Sequence, residues 1–100
     1  MPRAPVKASA KLSAVNGDGT ATITLTNTTN HIAFFIRAEI IQGPSGNEIL
    51  PITYSDNYVT LFSHEARTIV ANFQVSLLSG AVPSLRLEGN NIDKQVLPLR

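Results

Sequence analysis

The segment "KASAKLSAVNGDGTATITLTNT", residues 7–28, decides the fold class of this chain. Its runs 7–15 and 20–28 alternate apolar residues with Lys, Ser or Thr, and such alternation places one set of side chains on each face of a strand. Between them, "NGDG" (16–19) is a turn signal, because Asn, Asp and Gly tolerate positive φ. The sequence therefore predicts a β-hairpin with two apolar sets, Ala8, Ala10, Leu12 and Ala14 on the first strand and Ala21, Ile23 and Leu25 inward on the second.

A longer strand is predicted for "HIAFFIRAEIIQ", residues 31–42. A helix is the competing interpretation, but β-branched residues and alternating charges favour a strand. Arg37 and Glu39 mark one face as solvated, although Ala33 and Phe35 add apolar side chains to the same face. The opposite, inward face is expected to carry Ile32, Phe34, Ile36, Ala38 and Ile40.

The rest of the chain also reads as short strands. The stretch 49–62 predicts one or two strands, with Pro51 marking the first as an edge strand, and 67–77, 84–90 and 91–100 predict one strand each. Their inward residues are expected to be Ile69, Ala71, Phe73, Val75, Leu85 and Leu87.

About seven strands with turn signals at roughly ten-residue spacing predict an all-β, immunoglobulin-like antiparallel β-sandwich. The chain has no cysteine, so apolar packing must hold the two sheets together. The sequence predicts one sandwich domain over residues 7–100, and residues 1–6 read as a linker or an added start, held extended by Pro2 and Pro5.

Composition excludes several kinds of partner. The net charge is +1 and only 15% of residues are charged, without the Lys/Arg cluster that nucleic-acid binding needs. Apolar runs such as "IAFF" are too short to span a bilayer. No hydrophobic stretch follows "MPRAPVKASAK", so no signal peptide is predicted in this chain, and the signal of an exported parent, periplasmic or secreted, would lie elsewhere.

Few residues suggest chemistry. "ITYSDNYVT" (52–60) holds Asp56, which together with Glu65 resembles a glycosidase carboxylate pair, but such a pair needs a cleft and strand-end Asx residues usually cap turns. The sequence Ser63-His64-Glu65 has triad residue types, but sequence neighbours rarely converge on one atom. His31 and His64 lack metal-ligand spacing. We predict no catalytic, cofactor or metal residue.

An aromatic row offers a binding alternative. Tyr54, Tyr58 and Phe62 would share a face along one strand and could stack on a pyranose ring, although core or interface packing is the commoner use of such a row. The sequence Asn27-Thr28-Thr29 is an N-glycosylation sequon, meaningful only in a eukaryotic secretory pathway.

"LTNTTNHIAFFIRAEI" and "ILPITYSDNYVTLFSHEARTIVANF" together resemble the C-terminal Ig-like domain of glycoside hydrolase family 2, in its exo-β-glucosaminidase and β-mannosidase branch. The resemblance runs from about Lys11 to the last strand. The sequence departs from the family pattern at Ser63-His64, where a Pro-Gly turn is usual, and at Asn90, where an aromatic residue often follows the glycine. The second departure argues against substrate contact at that end. The residues that fit the pattern are Leu25, Asn27, Ile32, Ala33, Phe34, Phe35, Pro51, Tyr54, Ser55, Asp56, Asn57, Tyr58, Leu61 and Glu65.

The resemblance implies a non-catalytic accessory domain. In such enzymes two catalytic glutamates lie in an upstream TIM barrel, and Ig-like domains support the barrel and border the active-site mouth. The partners expected here are therefore the other domains of the parent glycosidase, with weak carbohydrate contact as a further expectation. The residues predicted to make these contacts are Phe35, Tyr54, Asp56, Asn57 and Tyr58.

Two other functions remain open from the sequence. An independent carbohydrate- or protein-binding module would show sugar affinity or would capture a partner by an exposed edge strand. A small self-contained enzyme would turn over aryl glycosides by itself.

Overall fold

In the described part of the chain, eight β-strands form two antiparallel sheets of four strands each. The computed structural model describes residues 3–43, 46–56 and 58–99. Sheet I has the strand order β1-β2-β6-β4, and sheet II has the order β5-β3-β7-β8. The strands are β1 (Val6–Val15), β2 (Asp18–Asn27), β3 (Ala33–Gln42), β4 (Ile52–Tyr54), β5 (Val59–Leu61), β6 (Ala66–Gln74), β7 (Pro83–Glu88) and β8 (Gln95–Pro98). The immunoglobulin-like sandwich predicted from the sequence is confirmed.

The β1–β2 hairpin is confirmed in full register, from the pair Val6 and Asn27 to the pair Val15 and Asp18. Its inward residues on β2 are buried, but Ala14 near the hairpin tip is exposed, since β1 is an edge strand with a neighbour on one side only. Packing starts before the predicted boundary at Lys7, because Ala4 is already buried and β1 begins at Val6.

A β-bulge changes the faces of β3. Ala33 pairs with Leu61 and Ile36 pairs with Val59, so two residues of β3 stand opposite one of β5. The extra residue shifts the inward–outward alternation of β3 by one position. Ala33 and Ile36, three positions apart, therefore both point inward. Ala33 is fully buried, so its predicted place on the outer face is wrong, whereas Phe35 is exposed as expected.

The two short strands after the loop belong to different sheets. β4 pairs with β6 at the edge of sheet I, as Pro51 predicted, whereas β5 pairs with β3 in sheet II. The predicted row of Tyr54, Tyr58 and Phe62 on one strand is therefore wrong, because the chain crosses between the sheets within it.

β6 is shorter than predicted. It ends at Gln74, and a 3-10 helix (Val75–Leu78) follows, closed by Ser79 in the left-handed region. Val75 is only half-buried. The remaining inward residues predicted on β6 and β7 lie in the core, whose largest fully buried apolar side chains are Ile23, Leu25, Ile36, Ile40, Ile41, Leu61, Ile69, Leu85, Leu87 and Leu99.

Candidate interdomain surface

Three exposed aromatic residues flank the pairing of β5 with the start of β3, and we call Phe35, Tyr58 and Phe62 the aromatic end. Their exposed fractions are 57%, 62% and 60%. Large apolar side chains are commonly buried, and a cluster of exposed ones marks a contact surface. The aromatic end is therefore the strongest candidate for binding another domain or molecule.

The bulge aims Phe35 at the solvent. Its φ is 51°, in the left-handed region that a bulky residue rarely adopts. The amide of Phe35 donates to Thr60 Oγ1 at 3.4 Å, and its ring lies 6.2 Å from the ring of Phe34. Backbone strain of this kind persists only where surrounding structure imposes it, and it concentrates at functional sites.

The side chain of Asn91 stabilises the bulge by hydrogen bonds to its backbone. Its side chain accepts from the Phe34 amide at 2.9 Å and donates to the Ile32 carbonyl at 2.7 Å. The backbone carbonyl of the same residue accepts from Ala4 N at 2.9 Å, and Arg3 pairs with Asp93 at 3.2 Å. The first described residues of the chain therefore lie beside the aromatic end.

A concavity of about 280 Å³ opens next to Phe35, and we call it the Phe35 concavity. Aromatic rings, charged groups and backbone contribute to its wall, and its lining residues are Phe35, Arg37, Tyr58, Glu88, Gly89 and Asn90. The two aromatic residues offer apolar contact, and the charged and polar residues offer groups that could orient a ligand.

An ion-pair network underlies this face. Glu39 is only 5% exposed, so the solvated position predicted for it is wrong. Arg86 binds it through Nη2 at 3.0 Å and Nε at 3.3 Å, and Arg37 approaches its carboxylate at 3.1 Å. The hydrogen bond to Glu39 raises the pKa of Arg86. Two guanidinium groups cover the carboxylate, which is how a charge can be buried on a sheet face.

Tyr54 anchors β4 to sheet II through its hydroxyl. Its hydroxyl donates to Glu48 Oε2 at 2.7 Å and accepts from the Ile40 amide at 3.0 Å. Burial, together with the hydrogen bond to Glu48, raises the pKa of Tyr54 well above its ordinary value. Glu48 in turn binds Arg37 at 3.3 Å, so the network links both sheets.

The buried side chain of Asn27 connects two turns by hydrogen bonds. In the sequence, Asn27 stood out only as part of a family pattern and of a glycosylation sequon. Its amide donates to the carbonyls of His31 at 2.6 Å, Leu61 at 3.1 Å and Phe62 at 3.3 Å. Its oxygen accepts from Thr29 N at 3.0 Å and Thr29 Oγ1 at 2.7 Å. Full burial of Asn27 gives an attached glycan no room in the folded chain. An Asn at a strand end followed by Thr two residues later was the available signal.

The remaining candidate residues are dispersed. Asp56 is exposed, and Asn57 lies outside the described residues. Glu65 caps its own turn through the Phe62 amide at 3.0 Å and approaches Arg67 at 3.5 Å. Within residues 3–43, 46–56 and 58–99, no three His, Asp or Glu side chains are grouped to hold a metal, and no helix has the length and apolarity to cross a membrane.

A second concavity of about 520 Å³ lies at the other end of the sandwich. Asp18 is the acidic residue in its lining. Neither Asp56 nor Glu65 lines this concavity or the Phe35 concavity. Its lining residues are Asp18, Gly19, Pro51, Ile52, Thr53, Asn72, Phe73 and Gln74.

Comparison with known proteins gives consistent results. The family model described as the exo-beta-D-glucosaminidase Ig-fold domain matches residues 1–92. The chain is 33% identical over 85 residues to an exo-β-D-glucosaminidase of Amycolatopsis orientalis, covering 83% of this chain and 8% of that protein. It is 32% identical over 101 residues to one of Streptomyces avermitilis, covering 98% and 11%.

Solved structures agree with these relatives. The crystal structure of the Amycolatopsis orientalis exo-chitosanase CsxA superposes with a TM-score of 0.91 at 32% identity, covering 97% of this chain and 12% of that one. The same enzyme has been solved in complex with PNP-β-D-glucosamine. This chain thus spans about a tenth of the length of the relatives it matches. It belongs to the family of exo-β-D-glucosaminidase Ig-fold domains.

Proposed function

We propose that this chain is a non-catalytic accessory domain of a multidomain exo-acting β-D-glucosaminidase, and that its aromatic end packs against the catalytic domain of the same protein. The coverage of the relatives supports a multidomain parent, since the matched segment is 8% to 11% of their length. The observation that carries the docking proposal is the exposure of Phe35, Tyr58 and Phe62 together at one end.

The aromatic end suits a contact between domains. Such interfaces bury roughly 600–1,500 Å² and are more polar than permanent subunit interfaces. Exposed aromatic rings flanked by arginine and glutamate fit that description, because aromatic residues and Arg are enriched at interface centres.

The position of the chain's start also favours this end. Arg3 and Ala4 are tied to Asp93 and Asn91, directly behind the Phe35 bulge. In a protein as long as the relatives, a preceding domain would enter the sandwich there, so docking on the aromatic end would need only a short connection.

The carboxylates support an accessory role. Glycoside hydrolysis uses two carboxyl groups about 5 to 10 Å apart on either side of the sugar. Here Glu39 and Glu48 are engaged by arginines on a sheet face, and Glu65 caps a turn. These carboxylates stabilise the sandwich, and the catalytic pair of the enzyme would lie in another domain.

The first test compares the complete reading frame that contains this segment with a version lacking residues 3–99 and with the isolated chain. We expect hydrolysis of an aryl β-D-glucosaminide by the complete protein and none by the isolated chain. Turnover by the isolated chain, or a reading frame without any further domain, would contradict the proposal.

The second test addresses docking in the complete protein. We expect Phe62→Ser to lower its thermal stability, because the substitution removes a buried interface contact, while leaving the melting temperature of the isolated chain nearly unchanged. Val15→Ser is the matched control, since Val15 is 65% exposed at the hairpin tip, far from the aromatic end. Equal effects of Phe62→Ser and Val15→Ser in the complete protein would refute docking at this end.

A further inference from the structure

We infer that the Phe35 concavity binds one β-linked glucosamine unit of the polysaccharide on which the parent enzyme acts. This inference rests on the proposed function for the identity of the sugar, and it assigns a ligand to a site on this chain alone. The site is compatible with docking of the aromatic end, because Phe62 does not line the concavity and would carry the centre of the contact, with Phe35 and Tyr58 at its border.

The size of the concavity matches a single sugar ring. Its volume of about 280 Å³ lies just below the range of small-molecule sites, roughly 300–1,000 Å³. A single pyranose unit is a ligand of the size that such a concavity can hold.

Phe35 and Tyr58 supply the apolar walls. A sugar ring presents C–H groups on its faces, and exposed aromatic rings pack against such faces with little loss of side-chain entropy. The bulge fixes the direction of Phe35, with its amide bonded to Thr60 and the neighbouring Phe34 amide bonded to Asn91. A ring held in place before binding costs less to order when the ligand arrives.

Glu88 supplies the group that would recognise an amine. Its Oε1 lies 3.9 Å from Arg86 Nε and 3.8 Å from Lys94 Nζ, both longer than a hydrogen bond, so the carboxylate can still accept from an ammonium group. The protonated amine of glucosamine would provide that donor. Such charge-assisted hydrogen bonds are stronger than neutral ones.

Arg37 does not oppose a cationic ligand. Its guanidinium binds Glu39 at 3.1 Å and Glu48 at 3.3 Å, and this pairing offsets its positive charge. Asn90 also lines the concavity, and an asparagine amide could bond sugar hydroxyls. Although Asn90 replaces the aromatic residue of the family pattern, Phe35 and Tyr58 provide aromatic surface in the same concavity.

The test is an NMR titration of the 100-residue chain with short β-1,4-linked glucosamine oligomers. We expect shifts of the amides of residues 34–37, 58–60 and 88–90, with a millimolar dissociation constant. Cello-oligosaccharides, which have the same ring and linkage but a hydroxyl in place of the amine, should bind about threefold more weakly.

Matched variants locate the site. Phe35→Ala and Tyr58→Ala should each weaken binding about fivefold, whereas Phe62→Ala, an equally exposed aromatic outside the concavity, should not. Glu88→Gln should abolish the preference for the amine, and Asp18→Asn in the other concavity should preserve it.

Several results would overturn the inference. These are no chemical-shift change at millimolar oligomer, shifts confined to the other concavity, or equal losses from Phe35→Ala and Phe62→Ala. None of these outcomes affects the proposed accessory role, which is decided by the activity and stability of the complete protein.

Discussion

Replacing Asn27 tests whether the turn behind the aromatic end depends on one buried amide. Asn27→Ala removes the hydrogen bonds that the two amide N–H groups share among the carbonyls of His31, Leu61 and Phe62, and two accepted from Thr29. The side chain is fully buried, so the carbonyl of Leu61 would lose a hydrogen bond away from water.

The expected cost follows from these contacts. A buried polar group left without a partner costs about 1–3 kcal/mol, and several groups are affected here, so we expect a loss of about 3 kcal/mol. For a domain of this size each kcal/mol lowers the melting temperature by about 4–8 °C. Asn27→Ala should therefore melt about 15 °C below the wild type.

The assay is urea and thermal unfolding of the isolated chain by circular dichroism. Asn72→Ala is the control, because Asn72 is exposed and accepts one bond from Thr20 at 3.1 Å, and it should cost less than about 0.5 kcal/mol. Asn27→Asp keeps the shape but loses the donors, and it should be at least as destabilising as Asn27→Ala. Wild-type stability of Asn27→Asp would refute the argument from donated hydrogen bonds.

Three further predictions concern stability. In the unfolded chain Tyr54 ionises near the ordinary tyrosine pKa of about 10, below its raised pKa in the folded chain. The contribution of Tyr54 to stability should therefore be constant below about pH 9 and fall at higher pH. Tyr54→Phe should lower the free energy of unfolding by about 1 kcal/mol at neutral pH. In melting curves recorded in parallel, the stability difference between this variant and the wild type should shrink above about pH 10, and a difference independent of pH would contradict this. Gly19→Ala places a Cβ 3.1 Å from the Phe73 ring and should lower the free energy of unfolding in urea by about 1–2 kcal/mol. Adding Phe73→Leu should recover part of this loss, and additive losses in the double variant would argue against a clash. Glu39→Gln should cost about 3 kcal/mol by the same assay, because it leaves its arginine partners without their shared carboxylate, and an unchanged unfolding midpoint would show that the pair adds nothing.

Most strands could be predicted because their alternation is local. The hairpin 7–28 needs only the polar and apolar order of its residues and the turn residues at 16–19, and both are properties of the sequence. The bulge at Phe35 could not be predicted in this way. It depends on Asn91 and Thr60, which reach β3 from elsewhere in the chain, and it moved Ala33 to the interior.

The structure places the candidate contact residues differently from one another. Phe35 and Tyr58 are exposed at one end, but whether they contact another domain or a sugar stays a prediction. Tyr54 was grouped with them because of sequence spacing, yet its hydroxyl binds Glu48 and Ile40 across the sheets. A crossing between sheets is not visible in a short segment, since either pairing satisfies the same local pattern.

The sequence by itself determined the class of fold, the edge position of the Pro51 strand and the likeness to a glycosidase Ig-like domain, because periodicity, turn chemistry and motif order are written along the chain. The tertiary structure alone decided which side chains meet. It buries Glu39 against Arg86 and Arg37, bonds the Asn27 side chain to the carbonyls of neighbouring turns, and forms the concavity beside Phe35. Such contacts join residues far apart in the chain, and their energies depend on burial and distance, which sequence spacing does not fix.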